Sequence, residues 1–169
     1  KSGFDVKKSE VHGMAQRGGS VSSHVRFGEK VHSVLVEMGG ADIILALEKM
    51  EGLRWAHYLS PRGRLVSADI RINPMTVNTG AAEYPDVDLL VKARGIPCTE
   101  VPVLSIARKL GNYKVVNVAL LGAASSLVPG ISADCWEAAI AERVPPKALE
   151  VNMEAFRLGR AVPHQEVKA

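Results

Sequence analysis

The chain has 169 residues, with 21 Lys and Arg against 18 Asp and Glu, so its formal net charge is +3. This length fits one domain, and a hydrophobic content of 47% with 23% charged residues is typical of a globular fold and excludes a disordered chain. The longest apolar stretch, residues 115–128, is broken by polar residues and is too short for a membrane span, and the polar, charged start predicts no signal peptide. Two cysteines cannot make a disulfide framework or a metal cluster, which predicts a reducing, cytoplasmic environment.

The opening part of the chain is predicted to form two short strands joined by a loop. Residues 4–11 are compatible with a strand, and residues 21–27 alternate between apolar and polar side chains, as in a half-exposed strand. Residues 12–20 contain three glycines, which indicates unusual backbone angles or the close approach of another group.

The middle of the chain is predicted to form a strand–helix–strand unit, as in a parallel sheet. Its parts are a buried strand over residues 41–47, a helix over residues 48–59, a Pro-Gly turn over residues 60–63 and a strand over residues 64–68. Residues 70–85 are rich in Asn, Pro, Thr and Gly and are predicted to be irregular.

Helices dominate the remainder. Helices are predicted over residues 86–94, 104–110 and 113–127, with a short strand over residues 97–103 between the first two. A further helix is predicted to begin from an N-cap at Asp134, and the last helix is predicted to end at Gly159. The helix over residues 113–127 is apolar on nearly all sides and is expected to be buried, with Gly122 and its small neighbours letting another element pack close. The predicted fold is a three-layer α/β domain over residues 1–160, with a mostly parallel sheet, followed by a loose tail over residues 161–169.

The glycine-rich loop is the leading candidate site. Residues 1–32 carry six basic and three acidic side chains, whereas the rest of the chain is balanced, so an anionic ligand is expected in this region. Backbone N–H groups freed by Gly18 and Gly19 can form an anion-binding nest, and Arg17 offers a planar fork of donors. His12 and Gln16 can donate or accept hydrogen bonds. The spacing matches neither a dinucleotide fingerprint nor a phosphate-binding P-loop, and a structural turn with a solvated charged edge is the alternative.

Other candidates are weaker. Glu48, at the end of a predicted buried strand, lies where α/β sheets often place functional groups, or it caps the next helix. Asn117 is the strongly polar residue of the buried helix, and bonding to the backbone of a nearby loop is its expected role. No nucleophile–base pair and no metal-ligand spacing can be located, and the 5% aromatic content with no dense basic stripe argues against nucleic-acid binding.

Residues 9–21 read SEVHGMAQRGGSV, and this stretch resembles the signature of the gamma domain of 2-oxoacid:ferredoxin oxidoreductases. Within that family it is most similar to the indolepyruvate type. The resemblance continues through residues 41–48, through Asn117 with residues 121–123, and through residues 152–159, so it covers almost the whole chain.

The resemblance implies a Rossmann-like subunit that does not act alone. Family members decarboxylate a 2-oxoacid on thiamine diphosphate, pass electrons through iron–sulfur clusters to ferredoxin, and transfer the acyl group to coenzyme A. The thiamine diphosphate and the clusters are expected on a partner subunit, no cofactor is expected on this chain alone, and coenzyme A is expected as the co-substrate. The functional loop carried over from the family consists of His12, Gln16, Arg17, Gly18 and Gly19.

One departure from the family pattern concerns the start of the fold. Family members begin with a strand and a glycine-rich turn into a helix before the segment that starts here near Gly3, and this βα unit is expected to be missing.

The alternatives to a redox subunit are a stand-alone module that binds coenzyme A or a nucleotide, and a purely structural assembly subunit.

Overall fold

Two sheets organise the fold. The structure, a computed structural model, describes residues 2–12 and 21–164. Two strands form an antiparallel hairpin, and three strands form a parallel sheet with helices on both faces. This architecture confirms the predicted α/β class with a mostly parallel sheet and a helical C-terminal third.

The elements follow one another much as predicted. The described strands are β1 (Asp5–His12), β2 (Val21–Gly28), β3 (Ala41–Ala46), β4 (Leu59–Ala68) and β5 (Cys98–Val101). The described α-helices are α1 (Lys49–Trp55), α2 (Met75–Asn78), α3 (Val87–Ala93), α4 (Val103–Lys109), α5 (Val116–Ser125), α6 (Ala133–Arg143) and α7 (Leu149–Arg160). Short 3-10 turns cover Ala56–Tyr58, Tyr113–Val115 and Pro146–Ala148. None of the described helices is long and apolar enough to cross a membrane.

The hairpin turns its polar face towards the rest of the chain. Val6 lies opposite Phe27, so the two share a face, and that face is exposed, with Val6 at 58% and Val25 at 53%. On the other face, His24 Nδ1 accepts a hydrogen bond from the backbone N–H of Val36 at 3.0 Å. The alternation of β2 is therefore real, but its apolar side is the one that faces outward.

The parallel sheet has β4 in its centre, between β3 and β5. Ala41 pairs with Leu59. Two residues further along β3, Ile43 pairs with Arg64, so β4 bulges over the Pro-Gly segment that the sequence predicts as a turn. Gly63 is needed in this bulge, because a Cβ there would lie 2.4 Å from the carbonyl oxygen of Ala41.

Helices cover both faces of this sheet. Gly52 of α1 packs so closely on one face that an added Cβ would lie 2.9 Å from the Cβ of Ala46 in β3. On the other face the main core joins the sheet to α4 and α5, with Val66, Val101 and Leu120 almost fully buried. The second half of the central strand, residues 65–68, is thereby buried on both sides, as expected for the middle strand of a parallel sheet.

The predicted close packing at Gly122 is confirmed in a crossing of α5 and α7. A Cβ on Gly122 would lie 2.1 Å from the carbonyl oxygen of Phe156, and one on Gly159 would lie 1.8 Å from that of Ala119. The prediction that the last helix ends at Gly159 is wrong. Helix α7 continues to Arg160, and Gly159 lies within its crossing with α5.

Two further expectations need correction. Asn117 is exposed rather than buried, because α5 begins only at Val116 and its first turn presents this side chain outward. The N-cap of α6 is Ser132 rather than Asp134, since the Ser132 hydroxyl accepts a hydrogen bond from the Cys135 N–H at 3.3 Å. Both Ser and Asp are good caps, and the helix starts at the earlier one.

Candidate functional site

The two strands that flank the predicted functional loop pair with each other. His12 is the last residue of β1 and pairs with Val21, the first residue of β2, so residues 13–20 connect the two strands of the hairpin. The other predicted loop residues lie outside the described part of the chain; they are Gln16, Arg17, Gly18 and Gly19.

The opposite end of the hairpin is tied to the segment that follows it. The Asp5 carboxylate accepts a hydrogen bond from the backbone N–H of Val31 at 2.9 Å. The Arg26 guanidinium donates to the carbonyl oxygens of Ser33 at 3.4 Å and Leu35 at 3.2 Å. Arg26 thus holds the hairpin against residues 33–35. Its guanidinium is used within the chain and does not indicate a ligand site.

Glu48 is buried at the carboxyl end of β3, with 6% of its surface exposed. Its Oε2 accepts a hydrogen bond from the Glu51 N–H at 2.9 Å and so caps α1. Its Oε1 accepts hydrogen bonds from the Tyr84 hydroxyl at 2.5 Å and from the Ile72 N–H at 3.3 Å. Of the two roles left open for Glu48, capping is therefore the one present in the structure, and the carboxylate also holds the irregular segment after β4.

Tyr84 completes this cluster. Burial, together with the hydrogen bond to Glu48 and the charge of Glu48, raises the pKa of Tyr84 to about 12. The Arg71 guanidinium lies 4.1 Å above the centre of the Tyr84 ring, in the geometry of a cation–π contact. Tyr84 therefore stays protonated at neutral pH and donates to the carboxylate. Neither Tyr84 nor Arg71 carries a sequence signal for this contact, because both follow β4 in a segment without periodicity.

A second polar cluster lies beside β5. The Lys49 ammonium group is 3.0 Å from the Asp88 carboxylate and also pairs with Glu100. Burial lowers the pKa of Lys49, but the hydrogen bonds and charges of Glu100 and Asp88 outweigh it and raise the pKa overall. Burial and the same two carboxylates raise the pKa of the nearby Cys98 thiol to about 11. Cys98 is therefore a poor nucleophile at neutral pH.

One constellation was missed entirely by sequence reasoning. His164, beyond the end of α7, lies between Thr99 of β5 and Ser126 after α5, with a hydrogen bond on each ring nitrogen. The three residues are far apart in the sequence, so only the fold brings them together. Among the described residues, no group of three or more His, Cys, Asp or Glu side chains could hold a metal ion.

The fold matches solved structures of oxidoreductase subunits. It superposes on the gamma subunit of a keto/oxoacid ferredoxin oxidoreductase from Geobacter sulfurreducens with a TM-score of 0.65 and 23% identity, over 94% of this chain and 79% of that one. It also superposes on a 2-oxoglutarate:ferredoxin oxidoreductase from Magnetococcus marinus with a TM-score of 0.65 and 20% identity, over 95% of this chain but 26% of that one. The hairpin, the parallel sheet and its helices therefore define an α/β domain of the gamma-subunit type.

Sequence comparison gives the family. Residues 1–162 match the family described as pyruvate ferredoxin/flavodoxin oxidoreductase. The chain is 41% identical over 166 residues to the indolepyruvate oxidoreductase subunit IorB of Thermococcus kodakarensis, covering 94% of this chain and 81% of that protein. The chain belongs to the pyruvate ferredoxin/flavodoxin oxidoreductase family, as the resemblance in the loop predicts.

Proposed function

We propose that this chain is the gamma-type subunit of an indolepyruvate:ferredoxin oxidoreductase and that it acts only together with a partner subunit. The identity of 41% to a protein named as an indolepyruvate oxidoreductase subunit, over 94% of this chain, is the observation that carries the proposal. The fold adds support, because the same domain occurs as a gamma subunit in one solved oxidoreductase and as about a quarter of a longer chain in another.

In the proposed complex a 2-oxoacid and coenzyme A become an acyl-CoA and carbon dioxide, and the electrons pass to ferredoxin. Thiamine diphosphate and the iron–sulfur clusters belong to the partner subunit in this proposal. The task proposed for this chain is to bind and orient, through the loop that joins β1 and β2.

The loop is proposed to face an anionic group of coenzyme A or of the partner subunit. Arg17 would supply paired donors, and the amides at Gly18 and Gly19 would add hydrogen bonds without a side chain in the way. His12 and Gln16 would add hydrogen bonds to the same group. The flanking residues support this role, since His12 and Val21 pair at the end of the hairpin away from the contacts of Asp5 and Arg26.

The test is the substitution Arg17→Ala in the reconstituted oxidoreductase. We expect the rate of acyl-CoA formation to fall about thirty-fold, because losing a charge-assisted contact costs about 2 kcal/mol. Arg94→Ala is the matched control, since Arg94 is an exposed arginine at the end of α3, and it should leave the rate unchanged. Binding of the partner is measured in parallel by co-purification.

The result also separates the alternatives. Unchanged turnover together with unchanged assembly would remove the loop from the proposal. Tight binding of coenzyme A by this chain without its partner would favour the stand-alone module. A loss of assembly, with full turnover in whatever complex still forms, would favour a purely structural subunit.

A further inference from the structure

A contact beyond the end of α7 joins three distant parts of the chain. His164 Nδ1 lies 2.9 Å from the hydroxyl oxygen of Thr99, and His164 Nε2 lies 2.6 Å from that of Ser126. Thr99 is buried, with 3% of its surface exposed, and Val162 packs against the main core just before His164. The segment after α7 is therefore attached to the sheet and to the end of α5 at the same time.

The partners of the two hydroxyl groups decide which ring nitrogen carries the proton. The Ser126 hydroxyl donates its hydrogen to the carbonyl oxygen of Ala123 at 2.7 Å, so its oxygen accepts from His164 Nε2–H. An uncharged imidazole then has its lone pair on Nδ1, which accepts the hydrogen of the Thr99 hydroxyl. The observed contacts are thus satisfied by a neutral ring in one tautomer.

A second proton on this ring would be poorly accommodated. It would enter at Nδ1, so the buried Thr99 hydroxyl would have to turn away and lose its acceptor. Burial lowers the pKa of His164 and so does the positive charge of Arg64 on β4, although the carbonyl of Ala123 favours the charged form. Arg160 of α7, which donates to the hydroxyl of neighbouring Ser125 at 2.6 Å, adds a second cation on this side of the sheet.

The nearest carboxylate on β5 lies on the other face. Glu100 is engaged with Lys49, together with Asp88, on the side covered by α1 and α3. Among the described residues, the charged groups from β4, β5 and α7 that bear on the ring are therefore either cationic or turned away, and none of these neutralises a charged imidazole.

We propose that Thr99, His164 and Ser126 form a clasp that holds the segment after α7 on the fold while His164 is neutral and releases it when the ring is protonated. The stabilisation is complete above the ordinary pKa of histidine, about 6.5. It is lost as the pH falls from there through the lower pKa of the held ring. This device depends on contacts within the chain and not on the proposed activity.

Hydrogen exchange tests the clasp in the full chain assembled with its partner. Amide protection of Ala161, Val162 and His164 is compared at pH 7.5 and pH 5.5 after correction for the intrinsic exchange rates. We expect the opening equilibrium to increase towards low pH, by at most about tenfold for each unit between the pKa of the held ring and that of the released ring. Equal protection at both pH values would overturn the proposal.

Two variants keep the result specific. His164→Gln retains one donor and one acceptor but cannot titrate, so its protection should not change between the two pH values. Thr99→Val removes the donor to Nδ1 and should weaken protection already at pH 7.5. A pH-dependent opening that persists unchanged in His164→Gln would show that another group is responsible and would equally overturn the proposal.

Discussion

Glu48 shows how much one buried carboxylate can organise. It accepts hydrogen bonds from the Glu51 N–H, the Ile72 N–H and the Tyr84 hydroxyl, so it links the start of α1 to the segment after β4. A buried anion is costly unless its oxygens are satisfied, and here three donors satisfy them. The stability of this cluster therefore depends on the carboxylate and on all three of its donors.

Tyr84→Phe tests this dependence. The change removes the hydroxyl that donates to Glu48 and leaves a buried oxygen with fewer donors, so the free energy of unfolding should fall by about 1–3 kcal/mol. Urea unfolding followed by circular dichroism gives the value. Tyr113→Phe removes the same hydroxyl at a site that is 62% exposed and should change the stability by less than about 0.5 kcal/mol. Equal effects of the two variants would contradict the role assigned to Glu48.

The two cysteines are predicted to differ in reactivity. The pKa of Cys98 is raised to about 11 by burial and by two nearby carboxylates, whereas hydrogen bonds with Ser132 and Ser2 lower the pKa of Cys135. Since the thiolate is the reactive form, iodoacetamide at pH 8 should modify Cys135 first. Peptide mass spectrometry reads out the two sites separately. Faster modification of Cys98 in the native protein would contradict the environments described here.

At the scale of elements, the described helices α5 and α7 cross in close backbone contact. The two backbones meet at Gly122 and Gly159, and each glycine faces a carbonyl oxygen of the other helix. A side chain at either position would push the helices apart, because the contacted atoms belong to the backbone and cannot rotate away. The core between α5 and the sheet depends on the present distance between α5 and α7.

Gly159→Ala should therefore destabilise the fold although alanine is the better helix former. Overpacking of this kind costs about 3 kcal/mol, far more than the helix propensity returns. Gly28→Ala is the matched control, since a Cβ at Gly28 meets nothing within 4 Å, and its stability should stay within about 0.5 kcal/mol of the parent. Thermal unfolding of both variants makes the comparison, and a Gly159→Ala protein as stable as the parent would contradict the observed crossing.

Local signals were enough to predict several elements. The apolar run of β3 predicts the strand correctly, but the prediction that both of its faces are covered is wrong, because β3 is an edge strand of the described sheet and Leu45 is 46% exposed. Asp86 caps α3, as an acidic residue before a helix should. Gly95 follows that helix with φ +62°, which glycine adopts without strain. The sequence predicts a turn where β4 bulges, because Pro and Gly are typical of both, and only the pairing with β3 distinguishes them.

Over the whole molecule, a site can be predicted from the sequence when its residues are close together in the chain, and it is missed when they are far apart. The loop over residues 12–20 could be singled out because its charges and glycines are contiguous. The contact of His164 with Thr99 and Ser126 spans 65 and 38 residues, so no local pattern announces it. Asn117 is exposed because the other sides of α5 pack against β4 and α7, and a helix that is apolar on nearly all sides does not reveal from its sequence which side is left uncovered.

The outward apolar side of the hairpin has a thermodynamic consequence. Val6, Val25 and Phe27 are in contact with water in this chain. Any protein surface that came to cover them would release that water, and the association would then carry a negative heat-capacity change. Assembly through this side of the molecule would consequently weaken on cooling, so a complex held together there would be sensitive to cold.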